Sequence, residues 1–263
     1  MTFQNLVYER DQQGIVTIRF NKPDQRNAMT EDMGKELSEA ADRVAADPDA
    51  RAVILTGEGS AFSAGGDMKM INENTTLPAS QVRPKMRAFY SRFLKIRDIP
   101  VPTIAQINGP AIGAGLCVAL ACDLRLAAED APLSCNFTML GLHPGMGATW
   151  LLTRVVGGPR AAELLYGSVR INGKEAERMG LVNYAVPAGE LAKKTRAIAE
   201  GIAACGPVAV RLTKRALGRS FENTLPQQLD LEAEQQAHTF TTQDVREGLA
   251  AAAGKRPAKF EGR

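Results

Sequence analysis

Two glycine-rich bends constrain the fold of this chain more than any other feature of its sequence. The first bend, Ala61 to Lys69, follows the apolar run Ala52 to Thr56. The second bend, Asn108 to Leu116, follows the apolar run Thr103 to Ile107. Short runs of this kind predict buried strands, and the residues after each bend predict a helix. Strands that alternate with helices indicate an α/β architecture.

Each bend also has a chemical implication. A helix N-terminus offers N–H groups without intrahelical partners and the positive end of the helix dipole, so it favours developing negative charge. Two such N–H groups aimed at one oxygen form an oxyanion hole, which stabilises a transition state by several kcal/mol. A glycine bend taken alone is commonly just a turn, and Gly-x-Gly is a weak signal. The hypothesis of an oxyanion hole therefore depends on the presence of both glycine bends in one chain.

Hydrophobic spacing predicts the other elements. The alternation from Val16 to Phe20 predicts a strand, and Thr30 is the expected N-cap of a helix that ends before Pro48. Asn172 and Glu175 have the spacing of a capping box. Further predictions are strands at 123–128 and 181–186 and a loop-like course for 71–87.

The last part of the chain is predicted to contain only helices. Breaks are expected at Gly206-Pro207, Gly218 and Pro226. We therefore divide the chain into an α/β core, residues 1–200, and a C-terminal helical region, residues 201–263. The apolar faces of these helices exceed what they can bury on one another, so packing on another subunit is expected.

Composition and charge exclude several classes of protein. The formal net charge is +3 without a clustered basic stripe, so nucleic acid is not an expected partner. No apolar run is long enough for a membrane span, and residues 1–10 lack the apolar core of a signal peptide, so a cytoplasmic location is expected. The 4 cysteines have neither metal-ligand spacing nor the density of a disulfide scaffold. Free thiols and no metal site are therefore expected.

Two nucleotide-binding alternatives do not fit the sequence. A Rossmann dinucleotide site needs G-x-G-x-x-G directly after the first strand, whereas Gly14 precedes that strand. A P-loop needs G-x-x-x-x-G-K-[ST], which the sequence does not contain. Neither kind of phosphate loop is therefore expected here.

The two bends together resemble the paired signatures of the enoyl-CoA hydratase/isomerase, or crotonase, superfamily, and the similarity covers nearly the whole chain. The other segments that carry it are Asn21-Lys22-Pro23, Arg26-Asn27-Ala28, Ala121-Cys122-Asp123, Gly141 to Gly147, Leu152-Thr153-Arg154, Ala176 to Val182, Glu247-Gly248 and Lys255-Arg256-Pro257. The resemblance implies a crotonase fold, an α/β fold of repeated ββα turns with a C-terminal helical trimerisation region. It also implies a homotrimer or a dimer of trimers, and an acyl-CoA thioester as ligand, with coenzyme A as part of the substrate and no other cofactor.

The resemblance implies roles for individual residues as well. Gly66 and Ala114 match the two residues whose N–H groups form the oxyanion hole, and alanine in place of glycine leaves that N–H intact. The residues expected to contact coenzyme A are Arg26, Ala28, Ala64, Asp67, Met68 and, reaching the phosphates, Lys255. Without the resemblance, Arg26 and Lys255 would be interpreted as solvated surface charges.

The sequence departs from the family at the residues that determine the reaction. Hydratases of the family use two glutamates, whereas this chain has Cys117 and Phe137 at those positions. A hydratase needs carboxylates to activate water and to deliver a proton. We predict an enoyl-CoA hydratase-like enzyme without the usual glutamates, and we count Phe137 among the substrate-binding residues. The alternatives are decarboxylation, thioester hydrolysis or carbon–carbon cleavage, or a catalytically silent acyl-CoA-binding protein.

His143 is the third predicted catalytic residue. His143 lies in the glycine-rich segment Gly141 to Gly147, which in the family lies near the acyl end of the pocket. A neutral imidazole there can act as acid or base near pH 7. A hydrogen-bonded turn residue is an equally good interpretation. Cys117 is interpreted as a buried apolar thiol. Tyr90 and Arg87 are weaker candidates, and His238 is expected to be exposed.

Overall fold

The computed structural model describes residues 3–263, which form two sheets surrounded by helices. The strands are Leu6–Arg10 (β1), Ile15–Phe20 (β2), Ala52–Gly57 (β3), Thr103–Ile107 (β4), Ala111–Ile112 (β5), Leu124–Ala128 (β6), Leu133–Ser134 (β7), Arg170–Ile171 (β8) and Tyr184–Val186 (β9). The α-helices are Glu31–Ala46 (α1), Met68–Asn74 (α2), Ala79–Leu94 (α3), Ala114–Ala121 (α4), Ala148–Val156 (α5), Gly158–Tyr166 (α6), Gly173–Arg178 (α7), Ala188–Ala203 (α8), Pro207–Arg219 (α9), Leu225–Phe240 (α10) and Gln243–Ala253 (α11). Short 3-10 turns cover Pro23–Gln25, Lys95–Asp98 and Thr138–Leu140.

The larger sheet has six strands in the order β1-β2-β3-β4-β6-β9. β1 is antiparallel to β2, and the other neighbours are parallel. Every residue of β3 is buried, as expected for a central parallel strand covered on both faces. The smaller sheet has the order β5-β7-β8. A strand of the larger sheet, a short strand of the smaller sheet and a helix therefore follow one another twice, as β4-β5-α4 and as β6-β7-α5, and the predicted ββα repeat is confirmed.

Helix α1 forms for the reasons expected from its sequence. The Thr30 hydroxyl accepts a hydrogen bond from the Met33 N–H at 3.2 Å and so caps the first turn. Leu37 and Val44 lie on the apolar face and are fully buried, which contributes about 1.5 to 3 kcal/mol each to folding. A Cβ on Gly34 would lie 2.8 Å from the Phe93 ring, so glycine lets α3 pack closely against this helix.

Two expectations about local structure were wrong. Residues 71–87 are mostly helical, because Asp67 caps α2 and a second helix begins directly after Pro78. The predicted strand at 181–186 is shorter, since the N–H groups of Leu181 and Val182 bond to the Ala176 carbonyl at 2.8 and 3.3 Å and close the turn after α7. The break expected at Gly218 is confirmed to within one residue, because α9 ends at Arg219.

The C-terminal helices are joined to the core by long cationic side chains. Arg211 on α9 donates hydrogen bonds to the carbonyls of Asp47, Pro48 and Ala50, and Lys214 pairs with Asp123 at 2.7 Å. Helix α10, in contrast, has no buried residue. The division at residue 200 remains a prediction, and α8 spans it. Within residues 3–263, no helix has both the length and the hydrophobicity required to cross a lipid bilayer.

Candidate active site

The two glycine bends lie side by side because their backbones pair. The Ser63 N–H donates to the Pro110 carbonyl at 3.0 Å, and the Ile112 N–H donates to the Ser63 carbonyl at 3.0 Å. Ser63 and Ala111 thus form a parallel bridge, which attaches the first bend to the edge of the smaller sheet. The smaller sheet is therefore the frame that brings the two bends into one site.

Glycine is required where the bends touch. Gly65 has φ +91°, and a Cβ on it would lie 2.5 Å from the Ile112 carbonyl oxygen and 3.5 Å from the Ala114 nitrogen. A Cβ on Gly115 would lie 2.7 Å from the Ser63 Cβ. Contacts of 2.5 and 2.7 Å are closer than a side chain tolerates. Glycine at these two positions therefore allows the bends to approach each other closely.

Residues 26–29 hold the first bend from its other side. The Met29 N–H donates to the Gly65 carbonyl at 2.7 Å, and the Asp67 N–H donates to the Met29 carbonyl at 3.1 Å. The Ala64 N–H donates to the Arg26 carbonyl at 2.9 Å. The Asp67 bond and the bond of the Gly65 N–H to the Ser63 hydroxyl at 3.2 Å use the N–H groups on both sides of Gly66, whereas the Gly66 N–H has no backbone acceptor in residues 3–263. The Gly66 N–H is therefore available to a ligand.

The second available donor is at the start of α4. Gly113 has φ 54° and ψ −119°, and its N–H donates to the Ser134 carbonyl at 2.7 Å. Cys117 is the first residue of this helix whose N–H is bonded, to the Gly113 carbonyl at 3.2 Å. The Ala114 N–H has no acceptor within the described part of the chain, as expected for a first helical residue. The two residues assigned to the oxyanion hole therefore both present unpaired N–H groups.

Apolar side chains flank these donors, and two of them lie on α2, the helix that follows the first bend. A Cβ on Gly66 would lie 3.4 Å from Ile71 Cδ1 and 3.8 Å from Met70 Cε, so both side chains of α2 border the first donor. The Phe137 ring lies 3.9 Å from the Cβ position of Gly113, beside the second donor. The position directly after the first bend predicted a helix at α2. The loop expected for 71–87 was inconsistent with that helix from Ile71 onward.

Cys117 lies one helical turn beyond Ala114 and is fully buried. Its Sγ faces the Gly145 carbonyl at 3.9 Å. A hydrogen bond with Cys135, together with burial, raises the pKa of the Cys117 thiol well above its ordinary value. The interpretation of Cys117 as a buried, protonated thiol therefore fits its surroundings, and the pairing with Cys135 was not visible in the sequence.

We expect Cys205 to be the one cysteine that Ellman's reagent modifies rapidly in the folded protein, because it is exposed while Cys117, Cys122 and Cys135 are buried. Burial also raises the pKa of Cys122 to about 12, so little thiolate exists at neutral pH. Mass spectrometry of the labelled peptides identifies the modified thiol, and labelling in urea supplies the reference in which all thiols react. Rapid native labelling of Cys117 would contradict this prediction.

The residues assigned to coenzyme A contact are mostly brought together. Arg26, Ala28, Ala64, Asp67 and Met68 lie on the first bend or on the segment bonded to it, and the Met68 side chain is 63% exposed. The Asp67 carboxylate also accepts from the Lys69 N–H at 2.6 Å and caps α2.

Lys255 is placed differently. It follows α11, is exposed, and its N–H donates to the Ala252 carbonyl at 3.2 Å. No hydrogen bond or ion pair within residues 3–263 joins it to the first bend. Its predicted contact with the phosphates therefore remains a prediction.

The two histidines are both exposed. His143 precedes α5 and its side chain makes no hydrogen bond to any of residues 3–263, so the alternative of a hydrogen-bonded turn residue has no support in these contacts. His238 lies near the end of α10 and is exposed, as expected. Arg87 on α3 is exposed, whereas Tyr90 on the same helix is half-buried.

Known proteins resemble this chain in sequence and in fold over nearly its whole length. The family model described as "Enoyl-CoA hydratase/isomerase" matches residues 10–263. A Mycobacterium bovis protein named "Probable enoyl-CoA hydratase" is 36% identical over 261 residues, 99% of each chain. The Escherichia coli 1,2-epoxyphenylacetyl-CoA isomerase is 33% identical, over 96% of this chain and 97% of that protein. The crystal structure of enoyl-CoA hydratase from Bacillus anthracis superposes with a TM-score of 0.93 at 37% identity and covers 99% of this chain and 100% of that one. The chain therefore belongs to the enoyl-CoA hydratase/isomerase family of the crotonase superfamily.

Proposed function

We propose that this protein binds an acyl-CoA thioester and stabilises the negative charge that develops on the thioester oxygen. The observation that carries this proposal is the pair of unpaired N–H groups on Gly66 and Ala114, which the pairing of Ser63 with Ala111 places on adjoining bends. Removing a proton from the carbon beside a thioester carbonyl, or adding water to the β-carbon of an enoyl thioester, produces an enolate, and two fixed donors stabilise it without reorganisation. One donor of this kind typically contributes about 10²- to 10³-fold to a rate.

The coenzyme A portion is proposed to lie along the first bend and residues 26–29. Arg26 and Met68 are exposed there, and Ala64 presents only a methyl group, so a long ligand can approach the backbone. Arg26 supplies positive charge to the phosphates, and Lys255 is proposed as a second cation. The acyl group then extends past the donors toward Ile71 and Phe137, whose apolar side chains exclude water.

Hydration of an enoyl-CoA is the reaction best supported by the relatives, several of which are named hydratases. The positions of the two family glutamates hold a buried thiol, Cys117, and a phenyl ring, Phe137, so neither supplies a carboxylate. That observation favours a second candidate, a different crotonase reaction such as decarboxylation, thioester hydrolysis or carbon–carbon cleavage. A relative named as an isomerase shows that the family extends beyond hydration.

Crotonyl-CoA hydration, followed by the loss of enoyl absorbance, tests the proposal. We expect turnover by the wild type, and we expect Cys117→Ala to retain it within a few-fold because the thiol is buried and protonated. Loss of turnover in His143→Ala, with binding retained, would assign proton transfer to that imidazole. Binding of crotonyl-CoA without turnover would exclude simple hydration and favour the second candidate, and absence of binding would refute the proposal itself.

We also propose that the protein assembles as a trimer or a dimer of trimers through its C-terminal helices. α10 buries none of its residues, and Phe221, Leu225, Leu229 and Phe240 are each more than half exposed. Apolar side chains of this size are normally covered by a partner. Light scattering after gel filtration should give the mass of three or six chains, and the double variant Leu225→Ser/Leu229→Ser should dissociate, whereas Glu234→Ser on the same helix should not. A wild-type monomer would contradict the proposal.

A further inference from the structure

Tyr90 is the one tyrosine of residues 3–263 that lies beside the candidate active site. Its ring contacts Phe89 at 6.4 Å between centroids, and its hydroxyl lies against Gly145, where even a Cβ would overlap it and would lie 2.9 Å from the ring carbon Cζ. Gly145 is also the residue whose carbonyl faces Cys117. Tyr90 and Cys117 are therefore neighbours across Gly145.

The Tyr90 hydroxyl has no hydrogen-bond partner among residues 3–263, although the side chain is half-buried. Phenolic hydroxyls at such positions nearly always bond to protein, water or ligand, because an unpaired polar group in an apolar wall is costly. Burial, and secondarily the nearby Cys117 thiol, raises the pKa of Tyr90 above its ordinary value. The phenol is therefore protonated at neutral pH and acts as a hydrogen-bond donor.

The position of this donor fits one part of an acyl chain. Ala114 and Cys117 are three residues apart on α4 and lie on the same face, about 4.5 Å apart along the axis. A thioester oxygen held by the Ala114 N–H would direct the acyl chain toward Gly145, which covers the buried Cys117, and the substituent on its β-carbon would be the first group to reach that residue. The Tyr90 hydroxyl lies against Gly145 and so borders this end of the space proposed for the acyl group.

We propose that the Tyr90 hydroxyl donates a hydrogen bond to an oxygen on the β-carbon of the bound acyl group, and so makes the site selective for 3-hydroxyacyl-CoA over saturated acyl-CoA. This inference rests on the proposed function, because it requires a thioester on the Gly66 and Ala114 donors. His143 is a poorer candidate for this bond, because its side chain is exposed, whereas the Tyr90 hydroxyl is half-buried against Gly145. Cys117 is also poorer, since a buried thiol is a weak donor.

Binding constants for two esters and two variants test the inference without requiring turnover. The wild type is expected to bind one enantiomer of 3-hydroxybutyryl-CoA about 5- to 20-fold more tightly than butyryl-CoA, as measured by ultrafiltration. Tyr90→Phe keeps the ring and removes only the hydroxyl, so it should bind butyryl-CoA like the wild type and reduce the preference to less than about twofold. Tyr184→Phe removes a phenolic hydroxyl from edge strand β9 and should leave the preference for 3-hydroxybutyryl-CoA unchanged.

The possible results separate the inference from the proposed function. If both esters bind but Tyr90→Phe keeps the full preference, or the wild type has none, the role of Tyr90 is refuted while acyl-CoA binding stands. If neither ester binds to the wild type, the proposed function is refuted and the inference with it. Thermal unfolding of Tyr90→Phe, expected to match the wild type, shows that a lost preference does not reflect misfolding.

Discussion

Gly65→Ala is expected to reduce crotonyl-CoA hydration by about 10²- to 10³-fold, the effect of removing an oxyanion donor. The backbone at Gly65 has φ +91°, which L-residues rarely adopt, and the new methyl group would lie 2.5 Å from the Ile112 carbonyl oxygen. Neither the carbonyl nor the bend can move without separating the two bends. The Gly66 and Ala114 N–H groups would then no longer point at one oxygen. Initial rates over a range of substrate concentrations should show the loss in kcat as well as in KM.

Gly66→Ala is the matched control for that variant. It adds the same methyl group one residue away, where φ is not positive and the nearest atom, Ile71 Cδ1, lies 3.4 Å from the new Cβ. The N–H remains in place, so turnover within about fivefold of the wild type is expected. Equal losses in both variants would show that the added volume, and not the separation of the bends, is responsible, and our account of Gly65 would be wrong.

Asn27→Ala is expected to lower the free energy of unfolding by about 3 kcal/mol. The fully buried Asn27 side chain accepts from the Lys22 N–H at 2.9 Å and donates to the carbonyls of Glu58 and Ala61 at 3.0 and 2.8 Å. Its backbone has φ 55°, a conformation that asparagine tolerates better than alanine. The substitution therefore removes the side-chain partners of three backbone groups, of which the Ala61 carbonyl lies in a fully buried bond, and it adds strain. Urea denaturation followed by circular dichroism measures the change.

Asn72→Ala provides the comparison for Asn27. Asn72 is exposed on α2, close in sequence to the same bend, and its replacement should change stability by less than about 0.5 kcal/mol. If Asn27→Ala were as mild as Asn72→Ala, the side-chain hydrogen bonds of Asn27 would not be holding the first bend. The bend would then depend mainly on its backbone pairing with Met29.

Elements governed by local chemistry were predictable from the sequence. The strand at Thr103–Ile107 matches its predicted bounds, and Thr30 caps α1 as its position indicated. Asn172 and Glu175 form the expected reciprocal capping box. In each case the interactions that determine the element lie within a few residues of one another, so the local pattern of side chains is sufficient to predict it.

Features that depend on distant segments were not predictable in the same way. The contact of Cys117 with Cys135 depends on the pairing of β5 with β7, and the pairing of Ser63 with Ala111 depends on where the smaller sheet lies. The glycine pattern identified both bends, but only the fold shows which N–H groups remain unpaired. Polar residues and prolines in 71–87 predict a loop, whereas the segment contains the end of α2 and the start of α3, a helix without a side-chain cap.

Ser63 belongs to two parts of the molecule at once. Its hydroxyl donates to the Asn27 carbonyl at 2.8 Å, in the segment proposed to contact coenzyme A, while its backbone bonds to Pro110 and Ile112 beside α4. Ser63 therefore connects the segment proposed to contact coenzyme A directly to the bend that carries the Ala114 donor. Binding of the remote nucleotide can then help to orient the reacting carbonyl. A truncated thioester that lacks the nucleotide should therefore show a lower kcat as well as weaker binding.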